Sequence, residues 1–290
     1  MMSNYKQKNK QAFSEDYWKE EGGQKWLENI DVVESSLIPF GEILLERAAF
    51  REAEFVLDVG CGGALTSLEI VKQVGSGGQV TAIDISADIL SVARQRAERV
   101  PNLYLREGDA GSIALGEQYF DVIFSRFGVM FFNDPIAAFK NFHEAMKPSA
   151  RLVFMCWRTL EENPWMGEPA AAVFKHLAPP DKPETADADA PGPFSFADTG
   201  RVRHILASAG FKDINLQAVD TGMPLGAMHE AVSFLMRMGP AAEVIAQAND
   251  DEKDTAAMTI RHVLGKYETA DGIMPPAAAW VVIARPQDNE

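Results

Sequence analysis

The stretch Val56-Leu57-Asp58-Val59-Gly60-Cys61-Gly62-Gly63 decides the fold. From Phe55 to Val59 it is a short apolar run interrupted by one acid, which reads as a buried strand. The glycines end that strand in a tight turn that enters a helix. Gly60 and Gly62 carry no side chain, so a ligand can come close to the backbone at the carboxyl edge of a sheet. Twenty-four residues after Gly60, a second strand, Val80 to Asp84, ends on a carboxylate able to accept hydrogen bonds from both hydroxyls of a ribose. Together these features predict a nucleoside-containing ligand, against the plainer reading of a strand-to-helix turn with an acid at a strand end.

Working outward, the same alternation of strand and helix continues to about Arg158. Ala64, Leu68 and Val71 are expected on the buried face of the helix after the turn. Ser86 reads as the cap of the next helix, with Asp88 in its first turn and Ile89, Ala93, Ala97 and Val100 as its apolar stripe. Leu103–Asp109 is a third strand, Phe120–Phe127 a fourth and Arg151–Trp157 a fifth. Between the last two, Asp134 and Pro135 open a helix that ends before Pro148. Beyond Trp157, the acidic, proline-rich run Ala178–Phe194 is expected to be a surface loop. A helix capped by Asp198 follows, with Val202, Ile205, Leu206 and Ala209 as its stripe and Gly210 past its end. Ile214–Asp220 and Ala279–Arg285 read as two more strands, separated by a mostly helical insertion from about Met228 to Gly265.

The expected fold is a single α/β domain, doubly wound around a mainly parallel seven-stranded sheet. Residues 1–50 form a helical cap containing Tyr17, Trp18 and Trp26, residues 51–158 the cofactor-binding core, and residues 159–290 a lid, the last strands and a substrate-covering insertion.

The dinucleotide fingerprint requires a third glycine near the pyrophosphate, and Leu65 stands at that position. S-adenosylmethionine has no pyrophosphate but carries a sulfonium, an amino group and a carboxylate. Asp58 supplies an acid on the side where cationic charge would lie, although a role bonding the amides of the turn is an equal alternative. In order and spacing, DVGCGG at 58–63, AIDIS at 82–86, EGDA at 107–110 and FDVIFSRFGVMFF at 120–132 resemble the successive motifs of class I S-adenosylmethionine-dependent methyltransferases. The resemblance covers Phe55 to Trp157 and is closest in style to the branch of ubiquinone and menaquinone biosynthesis. It implies that Gly60, Cys61 and Gly62 hold the methionine portion of the cofactor and that Asp84 binds its ribose, with Ile85 beside the adenine. It also implies that Asp109 and Ala110 meet the adenine amino group and that Ser125 and Arg126 face the methionine and reaction region. Ala64 stands where the family usually has glycine. Trp26 is a further candidate, closing over the cofactor from the N-terminal region.

Composition narrows the acceptor. With 42 acidic against 27 basic residues and a formal charge of -15, the 290-residue chain repels a phosphate backbone, and no basic patch is visible. A small-molecule acceptor is therefore expected, with O- or C-methylation favoured and no nucleic-acid partner. Met130, Phe131 and Phe132 are candidates for its pocket, as are Trp157 and Trp165, with core packing the alternative for all five. No apolar run could span a membrane, and the two cysteines, Cys61 and Cys156, form neither a disulfide framework nor a metal site, which points to the cytoplasm. Five scattered histidines give no metal motif, and Cys61 reads as a small turn residue rather than a nucleophile. No catalytic residue is identifiable, and the oligomeric state is open. The competing readings are a nicotinamide-dependent oxidoreductase and a non-catalytic S-adenosylmethionine-binding protein.

Overall fold

The computed structural model of the chain describes residues 13–178 and 190–287. Most of the run expected as a surface loop, residues 179–189, lies outside the described residues. Four short helices come first: α1 (Glu15–Lys19), α2 (Glu21–Glu28), α3 (Ile30–Ser36) and α4 (Ile38–Ala48). The strands β1 (Phe55–Val59), β2 (Gln79–Asp84), β3 (Leu103–Glu107), β4 (Phe120–Arg126) and β5 (Met146–Trp157) are joined by α5 (Leu65–Val74), α6 (Ala87–Ala97) and α7 (Pro135–Ala145). After α8 (Pro164–Val173) and α9 (Thr199–Ser208) come β6 (Phe211–Gly222), α10 (Met228–Met238), α11 (Ala242–Gln247) and α12 (Asp250–Leu264). A two-residue ladder of β7 (Glu268–Thr269) and β8 (Gly272–Ile273) leads to β9 (Pro276–Pro286).

The seven-stranded sheet has the order β3-β2-β1-β4-β5-β9-β6. Its first five strands pair in parallel, whereas β9 pairs antiparallel with both β5 and β6. Strand order reverses between β1 and β4, and the crevice at their carboxyl ends is where open α/β sheets take ligands. Val56 lies between Val80 and Val122 in register. All three are fully buried, as a strand covered on both faces requires.

The helix starts follow the chemistry of their caps. Ser86 accepts from the Ile89 amide, Asp134 from the Ala137 amide and Asp198 from the Arg201 amide, so each satisfies a donor that the first helical turn leaves free. In α9 all four expected stripe residues are buried. The expected stripe of α5 needs correction. Leu68 and Val71 are only half-buried, while Thr66, Ser67, Ile70 and Val74 form the covered face. Two hydroxyl residues face inward because Asp58, 1% exposed on β1, needs donors there.

Buried polar joints fix the cap and the late segments to the sheet. Phe40 and Leu44 of α4 are fully buried, each worth about 1.5–3 kcal/mol of burial. At the end of α4, Arg151 of β5 donates to the Ala48 and Ala49 carbonyls and pairs with both oxygens of Glu54 at 2.7 and 2.9 Å. Asn163, 0% exposed at the start of α8, donates to the Thr159 and Ala278 carbonyls and accepts from the Trp165 indole and the Ala278 amide. Trp165 is thereby locked into the core.

Candidate functional site

The glycine turn owes its two key glycines to different causes. Both have positive φ, 66° at Gly60 and 56° at Gly62. A Cβ on Gly60 would lie 2.8 Å from the Gly128 Cα, so this glycine is required by the backbone that follows β4. A Cβ on Gly62 would meet nothing nearer than the Trp26 indole nitrogen at 4.0 Å, which makes Gly62 the glycine that faces the crevice. Ala64 caps α5 at a φ of 65°, a left-handed conformation strained for alanine, where the family commonly has glycine. Cys61 is 3% exposed, and burial together with Asp84 and Asp58 pushes its thiol well above the ordinary range. A thiol kept neutral in this way is a packing element and a poor nucleophile.

The bonding of turn amides that was one alternative for Asp58 falls to Asp84 instead. Asp84 accepts from the Gly62 amide at 2.9 Å and, through its other oxygen, from the Ser86 amide at 3.0 Å. It therefore braces the turn, and each oxygen retains a lone pair for a ligand hydroxyl. Burial raises its pKa, opposed by the Ser86, Gly62 and Ile85 amides. Asp58 bonds no amide of the turn. One oxygen accepts from Thr66 Oγ1 at 3.0 Å and Ser67 Oγ at 2.6 Å, and the other is buried without a hydrogen-bond partner. Desolvation pushes its carboxyl up to about 6, although the Ser67 and Thr66 hydroxyls and the Arg126 charge pull the other way.

The remaining expected residues divide by environment. Ile85 is half-buried beside Asp84. Asp109 is half-buried past the end of β3 and accepts from the Gly111 amide at 2.9 Å, while Ala110 is buried and its carbonyl is held by Asn141. The Ser125 hydroxyl is fully buried, donates to the Val59 carbonyl and accepts from the Gly128 amide, so it joins the ends of β1 and β4. The next side chain, Arg126, is half-buried and reaches the start of α4, where it donates to the Leu37 carbonyl at 3.4 Å. Trp157 stacks on Phe127 at 3.9 Å and, with Trp165, belongs to the core, as does Met130, whose sulfur accepts from the Trp157 amide. Phe132 packs on Phe142, and Phe131 faces the N-terminal cap.

Sequence reasoning undervalued that cap. Trp18 lies edge-on to Phe131 at 4.9 Å and to Trp26 at 6.2 Å, and Phe13 closes on Phe131 at 5.7 Å. The indole nitrogens of Trp18 and Trp26 are both buried with no hydrogen-bond partner. The only sequence signal for this was the density of aromatic residues before Phe50, which gives no direction. The cap is locked to the turn by Glu34 of α3, 6% exposed, whose two oxygens take both Arg96 nitrogens at 2.7 and 2.8 Å. Arg96 also donates to the Gly63 carbonyl.

Residues 57–154, which span the glycine turn and both acid-bearing strand ends, match a family described as a methyltransferase domain. Over 180 residues the chain is 29% identical to a demethylmenaquinone methyltransferase of Staphylococcus epidermidis, covering 60% of this chain and 73% of that one. The chain is an S-adenosylmethionine-dependent methyltransferase, similar over this core to the class I enzymes. A second demethylmenaquinone methyltransferase, from Chlorobaculum parvum, is 30% identical over 95 residues, 33% of this methyltransferase and 38% of the relative. Among solved structures, phosphoethanolamine N-methyltransferase 2 of Haemonchus contortus in complex with S-adenosyl-L-methionine superposes with a TM-score of 0.59 at 16% identity, covering 95% of this chain and 60% of that one. YcgJ of Bacillus subtilis gives 0.56 at 14% identity, covering 86% and 98%. These two likenesses concern the fold.

The residues of the methyltransferase fit its methyl donor. Asp84 and Asp109 stand at the end of β2 and just past the end of β3, and the open side of Gly62 gives close access to the backbone of the turn beside Asp84. The unpartnered Asp58 oxygen and indole N–H groups are polar atoms whose burial costs free energy until a ligand satisfies them. Among the described residues, no group of three or more His, Cys, Asp and Glu could hold a metal ion, and no helix is long and apolar enough to cross a membrane.

Proposed function

We propose that the methyltransferase acts on a small, largely uncharged or aromatic acceptor, methylating oxygen or carbon, and that Gly60, Cys61, Gly62, Asp84, Ile85, Asp109 and Ala110 form its cofactor site. In this reading residues 1–50 are the cap, 51–158 the cofactor core and 159–290 the part that covers the acceptor. The observation that carries it is the aromatic wall of Phe13, Trp18, Trp26 and Phe131, which closes above the glycine turn with two indole N–H groups free to donate. Such a wall suits a flat apolar molecule with one or two acceptor atoms. The acidic chain offers no track for a phosphate backbone, and the quinone-methylating names of the relatives point to the same acceptor class.

When bound, the donor supplies a methyl group already activated by sulfonium charge. The chain's own work is then positional. Asp84 orients the nucleoside over the turn that it braces, and the Glu34–Arg96 joint holds the cap down. The indoles exclude water from the reacting edge. No side chain here is assigned as general base. The test is incubation with methyl-labelled S-adenosylmethionine and, separately, a panel of phenols and quinols, total RNA, DNA and cell protein. Label in the small-molecule arm supports the reading, and label confined to the macromolecular arms overturns it.

A further inference from the structure

The third glycine of the turn is used by the protein itself. A Cβ on Gly63 would overlap Glu34 Oε1 and Arg96 Nη1 and press on Ile30 at 3.2 Å, so the ion pair between α3 and α6 lies directly against the backbone of the turn. Arg96 Nη1 takes Glu34 Oε1 at 2.7 Å and also donates to the Gly63 carbonyl at 2.8 Å. The other half of that peptide is held as well, because the Ala64 amide donates to the Cys61 carbonyl at 3.0 Å. The planar Gly63–Ala64 peptide is therefore pinned at both ends, and its orientation sets the φ of 65° at Ala64. For alanine this conformation is strained, and such strain persists only where the surroundings over-determine it.

The brace comes from the cap. Glu34 belongs to α3, and the preceding helix α2 carries Trp26 over the open side of Gly62. A Cβ on Gly23 of α2 would overlap Ser86 Oγ at the start of α6, so this helix is seated on the rim of the crevice. Asn29, between α2 and α3, accepts from Arg237 of α10 at 2.9 Å, which ties the insertion to the same body. Asp84 grips the Gly62 amide, one residue from the peptide that Arg96 holds. We propose that Glu34 and Arg96 are positioning residues for the methyl donor: through them the docked cap holds the strained Gly63–Ala64 peptide in the orientation that the donor requires. Without the brace the turn relaxes at Ala64, and the apparent affinity falls by the fraction of chains left in the binding geometry. Neither side chain has to touch the donor. The inference rests on the donor assignment and is independent of which acceptor is methylated.

A double-mutant cycle separates this coupling from a general effect on stability. S-adenosylhomocysteine affinity, read by calorimetry, should fall about tenfold in Arg96→Gln, the ratio to which the strain of one left-handed alanine corresponds. In an Ala64→Gly background the turn keeps its conformation without the brace, and the same replacement of Arg96 should lower affinity by less than about threefold. Arg96→Lys keeps a charge beside Glu34 without the planar fork that reaches both carboxylate oxygens and the carbonyl. It should show the same dependence on background with a smaller loss, and it carries the test if the Gln variant does not fold. Thermal unfolding of each protein checks that a folded chain is being titrated. A loss that is equal in the two backgrounds, or absent from a folded variant, overturns the proposal while leaving the donor assignment intact. Wild-type protein that binds no S-adenosylhomocysteine overturns the assignment and the proposal together.

Discussion

Replacing Asp58 by Asn separates what this carboxylate costs the fold from what it gives the ligand. In the folded chain its pKa is raised from 3.8 to about 6, because burial outweighs the Thr66 and Ser67 hydroxyls and the Arg126 charge, with Asp84 adding to the rise. A folded-state pKa above the unfolded one means that the native chain binds the extra proton between those two values. Its contribution is fully present below about pH 4 and is lost as pH rises through about 6. The gap from 3.8 to about 6 corresponds to about 3 kcal/mol. The stability of the wild type minus that of Asp58→Asn should therefore fall by about 3 kcal/mol between pH 4 and pH 8. The variant should be at least as stable as the wild type at the upper end. Urea denaturation of both proteins in the absence of ligand measures this, and taking the difference cancels the other carboxylates. A difference that stays flat across the range would show that Asp58 is not held in a desolvated site.

Other expectations follow from single contacts. Asp84→Ala should weaken S-adenosylhomocysteine binding by about tenfold or more, through both the ribose contact and the released Gly62 amide, and calorimetry would read it. Ala64→Gly should raise stability by about 1 kcal/mol in thermal or urea unfolding, since it relieves a left-handed alanine. Glu34→Gln should cost about 2 kcal/mol and speed proteolysis within residues 13–48, because Arg96 loses its partner over the Gly63 carbonyl. Trp26→Phe, which deletes only the indole N–H and part of the ring, should leave stability nearly unchanged and reduce the fluorescence change on cofactor binding.

The parallel core was legible because its signals are local. An apolar run ending in glycine, an acid at the next strand end, and Ser86, Asp134 and Asp198 as caps each act within a few residues of one another. The buried face of α5 was misread because Thr66 and Ser67 look like surface residues until Asp58, eight and nine positions earlier on another element, is seen to need them. The division of labour between Asp84 and Asp58 was hidden for the same reason. Which acid meets the Gly62 amide depends on how β2 aligns with β1, and the register is set by sheet pairing rather than by spacing along the chain. The aromatic wall is the extreme case. Trp18, Trp26 and Phe131 are brought together by packing of the cap against the segment after β4, and no periodicity announces it.

The most direct test of the account is a parallel titration of the purified protein with S-adenosylhomocysteine and with NAD. Its central claim is that the crevice over Gly62 holds a nucleoside with a short charged tail beside Asp84. Saturable binding of S-adenosylhomocysteine, lost in Asp84→Ala and accompanied by no binding of NAD, is the predicted result. Equal binding of NAD would contradict the claim, because Leu65 occupies the position where a pyrophosphate needs a glycine.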